Sequence, residues 1–300
     1  MEDLERAEIR LDNIRTVEPI LSALRTISLG SWQATLKRKD NVRRYAERLA
    51  ATLPPLLPHL PGSRRLSRLH FHLPRREGKK ESVPITALVV GSERGLCGRF
   101  NVAVVERAER YLVEQEMDGT QVELMALGTQ AQRLFQQRGR PLTWSGMLSV
   151  TALPPYRLAF DLTRRWLARY EKHELDAVDL VHNAYHGTGI YEPTVTRLIP
   201  PTLLAPSPDT LPWPPPIIES NPLSLYTRVV EQWAAASLYE LLLDSAAAEH
   251  AARYQLMEAA TQNTERLISE LTLAVQMARQ QAITQEMQEL AVGAGLIGPR

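Results

Sequence analysis

The sequence predicts a chain of mixed α+β and α/β class. A long antiparallel two-helix coiled coil forms from the N- and C-terminal segments, and an α/β domain is inserted between them. Three observations carry this. From Leu223 to Val292 there are 70 residues without a glycine or proline. Between Glu2 and Leu53 only Pro19 and Gly30 interrupt a second such run. The intervening chain alternates apolar strand-like runs with helical periodicity. At about 150 residues per domain, 300 residues accommodate one large domain or two smaller ones.

The first element is a helix over 1–53, ended by Pro54-Pro55. Its apolar positions Leu4, Ala7, Leu11, Ile14, Val17, Leu21, Leu24 and Ile27 recur at steps of three and four and make one stripe. Pro19 removes a helical hydrogen bond, so a kink is expected there. Residues 54–83 are a proline- and arginine-rich connector without periodicity.

The domain over 84–205 opens with the strand Ile85–Val90, followed by the glycine-rich turn from Gly91 to Gly98. A helix over 101–117 comes next, with Asn101 as its expected N-cap. Then come a strand at 122–128, helices at 129–138 and near 155–172, and a strand at 176–185. This alternation indicates a Rossmann-like domain with a largely parallel sheet.

A proline-rich linker over 206–222 leads to the helix over 223–292; ten prolines fall between Pro193 and Pro222. Pro222 at its start and Gly293 just past its end fit helix termini. At 1.5 Å per residue the run reaches on the order of 100 Å, far beyond the mean globular helix. One seam reads Met257, Thr264, Leu271, Ala278 and Gln285, and an interleaved seam reads Ala260, Leu267, Ala274 and Gln281. Spacing by seven favours helices wound around each other.

Charge and cysteine content exclude several classes. Thirty-five Lys+Arg against 34 Asp+Glu leave +1, so no global field draws nucleic acid or an anionic membrane. One cysteine rules out a disulfide framework and a cysteine-based zinc cage. No apolar run is long enough to span a bilayer. The acidic start is that of neither a signal nor a transit peptide, so a reducing cytoplasm is expected.

The turn Gly91–Gly98 sits where a phosphate cradle would, after a strand and before a helix. Its spacing is neither G-x-G-x-x-G nor a P-loop, and it has no lysine. A structural strand-to-helix turn is the better reading. Cys97 at that helix start is a candidate nucleophile with no histidine nearby in sequence. His70 and His72 share one side of an extended segment, as two metal ligands would, but no carboxylate accompanies them. No catalytic, cofactor or metal site emerges. Two segments are locally basic: 37–48, with Lys37, Arg38, Lys39, Arg43, Arg44 and Arg48, and 64–80, with Arg64, Arg65, Arg68, Arg75, Arg76, Lys79 and Lys80. They read as solvated surface or as seats for an acidic partner, and the loop over 64–80 lacks the interleaved aromatics that stack bases.

The residues of the C-terminal helix resemble a known family. Ala247 to Asn263 (AAEHAARYQLMEAATQN) and Ala278 to Glu289 (ARQQAITQEMQE) resemble the tail motifs of the gamma subunit of F-type ATP synthases. Glu93-Arg94-Gly95-Leu96-Cys97-Gly98 with Asn101 is similar to the family's D-R-G-L-C-G-x-x-N turn. The likeness covers nearly the whole chain. It departs at Pro19 to Ser28, where the family carries a lysine- and methionine-rich stretch. The connector is unusual as well, which marks a divergent member, with an alternate F-type ATPase as one source.

The resemblance implies a central-stalk rotor subunit with no active site, no cofactor and no metal, coupling ion flow through a c-ring to the conformational cycle of catalytic beta subunits. Implied partners are the alpha and beta subunits, the epsilon subunit and the membrane c-ring. Nucleic acid, a small-molecule substrate and direct membrane insertion are not expected. The implied location is the cytoplasmic face of a bacterial inner membrane. By resemblance Arg279, Gln280 and Thr284 meet a beta-subunit loop, and Leu24 and Arg25 fall where the family meets the beta subunit's acidic lever. Positions 280 and 284 are i, i+4 neighbours on one helix face. The competing classes are a nucleotide-binding α/β enzyme with a coiled-coil arm and a coiled-coil scaffold for nucleic acid.

Overall fold

The computed structural model describes residues 2–60, 83–149, 153–187, 189–200 and 217–294. In order, the elements are α1 (Glu2–Leu56), a 3₁₀ turn (Leu57–His59), β1 (Ile85–Val90), α2 (Phe100–Met117), β2 (Val122–Leu127), α3 (Thr129–Gln137), β3 (Trp144–Gly146), α4 (Tyr156–Glu171), β4 (Ala177–Tyr185), β5 (Tyr191–Ile199) and α5 (Pro222–Gly293). They fall into two compact units. One comprises Met1–Leu29 with Arg253–Arg300, and the other Gly30–Ala252.

α1 runs unbroken for 55 residues through both Pro19 and Gly30 and ends at Leu56, three residues beyond the expected stop. Proline's fixed φ is itself helical, so Pro54-Pro55 withdraw N–H donors without turning the chain out. Leu53, Leu56 and Leu60 bury there and hold the last turn. α5 starts cleanly because Asn221 caps it: its side-chain oxygen accepts the Ser224 N–H at 3.0 Å, with Pro222 at the first helical position.

In the first unit α1 and α5 run antiparallel, since Arg25 pairs with Glu258 (2.9 Å) and Glu8 with Arg279 (2.5 Å). The predicted α1 stripe is at least partly buried at Leu4, Ala7, Leu11, Ile14, Leu21 and Leu24 and fails at Val17 and Ile27. Val17 and Ile27 are 46% and 64% exposed, whereas Ser28 is buried. Every seventh residue in this unit, Ile14, Leu21 and Ser28, is buried or partly buried. On α5 the seam through Met257 and Thr264 is buried as expected. Its companion is Thr261, Ile268 and Val275, one residue beyond the predicted Ala260, Leu267 and Ala274. Steps of three and four are both legitimate in a heptad, and the branched row buries more apolar surface than the alanine row. The buried hydroxyls in these seams satisfy themselves: Ser28 donates to the Leu24 carbonyl at 2.7 Å and Thr261 to that of Met257 at 2.8 Å.

In the second unit the sheet order is β3-β2-β1-β4-β5, parallel except for the antiparallel β4–β5 pair. β3 and β5 were not anticipated: β3 has three residues, and Pro193 disguises β5, which tolerates it as an edge strand. β1 is buried throughout and sends alternate side chains to two cores. Ala87 and Val89 face α2 and α3; Leu88 and Val90 face α4 and the unit's stretches of α1 and α5.

Candidate functional site

The β1–α2 turn is built inward. Asn101, the expected N-cap, lies inside α2, and Arg99 takes the cap position. Its amide instead ties the turn: Oδ1 accepts the Ser92 N–H at 2.8 Å, and Nδ2 donates to Ser92 Oγ at 2.8 Å and reaches Cys97 Sγ at 3.3 Å. Cys97 is 1% exposed and packs with Phe100 against Ala248 and Ala252 of α5, which leaves the nucleophile reading without access. The turn is a seat for α5.

The anion-binding position at the C-terminal ends of β1 and β2 is filled by the protein itself. Glu93 accepts the Thr129 hydroxyl, the Thr129 N–H at the start of α3 (3.3 Å) and the Leu148 N–H (2.9 Å). Burial pushes its carboxyl up, but these hydrogen bonds and Arg133 outweigh that and hold it below its ordinary 4.5. The two loops also touch backbone to backbone. Gly128 has φ +95°, and a Cβ there would lie 2.6 Å from the Gly91 carbonyl oxygen. The amide at the start of α3 thus holds a carboxylate from the β1–α2 turn, which ties that turn to α3 and to the loop after β3.

Of the residues expected to meet a partner, Arg279 is paired with Glu8 and Arg25 with Glu258. Both pairs cross between α1 and α5. Gln280 and Thr284 are exposed, the Thr284 hydroxyl donating to the Gln280 carbonyl at 2.8 Å, and Leu24 is half-buried. The structure brings 279, 280 and 284 onto neighbouring turns of α5, and Leu24 and Arg25 onto α1. The glutamates that hold the two arginines were not recognised from sequence, because i, i+4 rules do not reach across a helix pair. In the basic helix segment, Lys39 pairs with Asp244 at 2.5 Å and Arg44 with Asn41, while Lys37, Arg38 and Arg48 are exposed. His70, His72 and the basic segment 64–80 lie outside the described residues, as does 206–216 of the linker. A recess of about 300 Å³ lies between β2, β3 and α4, lined by Met125, Trp144, Leu162, Arg165 and Trp166. On its wall Arg169 grips Glu123 through two bonds of 2.8 Å and holds that carboxyl below its usual range. Among the described residues no helix is long and apolar enough to cross a membrane.

A family model described as ATP synthase matches residues 3–295. The ATP synthase gamma chain of Trichlorobacter lovleyi is 26% identical over 297 residues, covering 98% of both chains. That of Rubrobacter xylanophilus is 28% identical over 300 residues, covering 98% of this chain and 97% of its own. Two solved structures share the fold at low identity. A chain of the Euglena gracilis mitochondrial ATP synthase OSCP/F1/c-ring structure aligns with a TM-score of 0.61 at 14% identity, covering 99% of this chain and 97% of its own. One from the Tetrahymena thermophila mitochondrial ATP synthase central stalk and c-ring aligns with 0.57 at 18%, covering 80% and 99%. A match running from residue 3 to residue 295, with relatives aligned over nearly their whole length, places this chain in the ATP synthase gamma-chain family.

Proposed function

We propose that this chain is the central-stalk rotor subunit of a rotary F-type ATP synthase, coupling ion passage through a c-ring to the conformational cycle of the beta subunits. The observation that carries the reading is the antiparallel pairing of α1 and α5 in a chain whose family match is full-length. Its partners are the alpha and beta subunits around the coiled coil, with epsilon and the c-ring against the α/β domain. It works as a peripheral part of a membrane complex, at the cytoplasmic face of a bacterial inner membrane. The subunit is non-catalytic, as the gamma-chain family it belongs to implies.

The beta-subunit contact falls on Arg279, Gln280 and Thr284 of α5 and on Leu24 and Arg25 of α1. Exposure of Gln280 and Thr284, and an Arg279 side chain 63% exposed despite its pair with Glu8, support this assignment. An exposed ion pair contributes little, about 0–1 kcal/mol, so Arg279 can exchange Glu8 for a partner's carboxylate or carbonyl at small cost. Charge-assisted hydrogen bonds at a desolvated contact are worth about 1.5–3 kcal/mol each. Arg279→Ala with Gln280→Ala is therefore expected to lower ATP turnover of the assembled complex severalfold while the subunit stays folded. Wild-type turnover in a double mutant that assembles would leave these residues as a solvated helix face. The broader reading is tested by co-expression with alpha and beta subunits: co-purification supports it, and ATP hydrolysis by the isolated chain contradicts it.

A further inference from the structure

Two side chains and one backbone N–H, from α1 and β4 of the Gly30–Ala252 unit, converge on one carboxylate of α5. Asp244 on α5 accepts Lys39 Nζ of α1 on Oδ1 at 2.5 Å and the Tyr185 N–H of β4 on Oδ2 at 3.2 Å. His182 of β4, 2% exposed, places Nδ1 4.0 Å from that same Oδ2, too long for a hydrogen bond. Its Nε2 meets Thr196 Oγ1 of β5 at 3.2 Å, while Nδ1 has no partner. A buried polar atom without a partner is uncommon and costly, and here it points at a carboxylate that already has its counter-charge. Around the group, Glu240 lies one turn earlier on α5. Burial holds its carboxyl above the usual range, with Lys39 and Arg43 opposing and Asp244 and Glu47 reinforcing. The Tyr185 ring packs edge-on against Trp32 of α1 and brings no charge.

We propose that Lys39, Asp244 and His182 form a two-cation latch. Asp244 joins both long helices to the sheet with Lys39 as its counter-charge, and His182 binds a proton from solvent and takes that place when the ammonium is withdrawn. With Lys39 seated, a second buried cation is disfavoured. Burial holds the imidazole below its ordinary 6.5, and Lys39 pushes the same way, against Asp244 and the nearby Asn183 backbone. Removing the ammonium takes away Lys39's opposition and leaves burial alone against protonation, while a buried carboxylate without a counter-charge is expensive and a protonatable nitrogen already faces it. One proton enters for each ammonium lost, so the cluster keeps its net charge.

The test is the sign of a pH dependence. In the wild-type full chain, His182 binds fewer protons folded than unfolded, so its contribution to stability falls as pH drops below 6.5. In Lys39→Met its folded pKa is expected to rise past 6.5, the value of the unfolded chain. Its contribution is then present at low pH and lost as pH rises through that midpoint. The His182 ring is followed by ¹⁵N NMR between pH 5 and 8, assigned with His182→Gln, alongside thermal unfolding. Expected are a raised His182 midpoint, recovery of Lys39→Met stability on acidification, and no recovery in Lys39→Met/His182→Gln. Should Lys39→Met not fold, Lys39→Gln keeps a donor to Asp244, removes only the charge, and carries the same expectation. Asp244→Asn is expected to lower the midpoint further. An unchanged or lowered His182 midpoint on loss of the Lys39 charge, or equal destabilisation of Lys39→Met at pH 5.5 and pH 8, overturns the latch.

Discussion

At Glu93 a family turn becomes a closed one. Thr129 and Leu148 are far along the chain, yet both donate to this carboxylate. Glu93→Ala removes the acceptor of the part-buried Thr129 and Leu148 donors and is expected to cost about 1 kcal/mol, read as a lowered unfolding midpoint. Because the folded pKa is depressed, Glu93's contribution is complete above 4.5 and lost as pH falls through the folded value. Glu93→Gln is therefore expected to flatten the acid limb of a stability–pH curve. Gly128→Ala meets both a positive φ and a backbone oxygen 2.6 Å from the new Cβ, so a loss of more than about 2 kcal/mol is expected in urea unfolding. The residues of this turn were visible in the sequence, but their partners were not. Asn101 reads locally as a cap, and only the approach of Ser92 and Cys97 makes it a tie.

The helices show where periodicity is readable and where it fails. α5 was legible to within a residue at each end because 70 breaker-free residues allow no other regular structure. The seams were harder. From Ser28 onward the inward row of α1 includes Ser28, Thr35 and the partly buried Lys39, while apolar Val17, Ile20 and Ile27 face outward, so hydrophobicity alone follows the wrong row. Buried hydroxyls that bond their own helix and ion pairs that cross to the partner helix make the polar row inhabitable, and neither appears in a hydropathy pattern. Pro19 is exposed in an unbroken helix, where it forfeits one backbone hydrogen bond. Pro19→Ala is expected to stabilise the Met1–Leu29 with Arg253–Arg300 unit by about 1–3 kcal/mol, offset in part by greater freedom of the unfolded chain. Slower hydrogen exchange at residues 12–26 is the readout, and unchanged exchange would count against the helix running straight through.

For the molecule as a whole, the proposed rotor role means that ATP hydrolysis in the assembled complex turns this chain. Met117 at the end of α2 is 83% exposed, and the sequence's single cysteine, Cys97, is buried at 1%. Met117→Cys therefore supplies a unique accessible thiol on the α/β domain. With the complex fixed to a surface through its beta subunits and a bead on residue 117, addition of ATP is expected to drive sustained rotation in one direction. ATP hydrolysis at the wild-type rate beneath a stationary bead would contradict the rotor assignment.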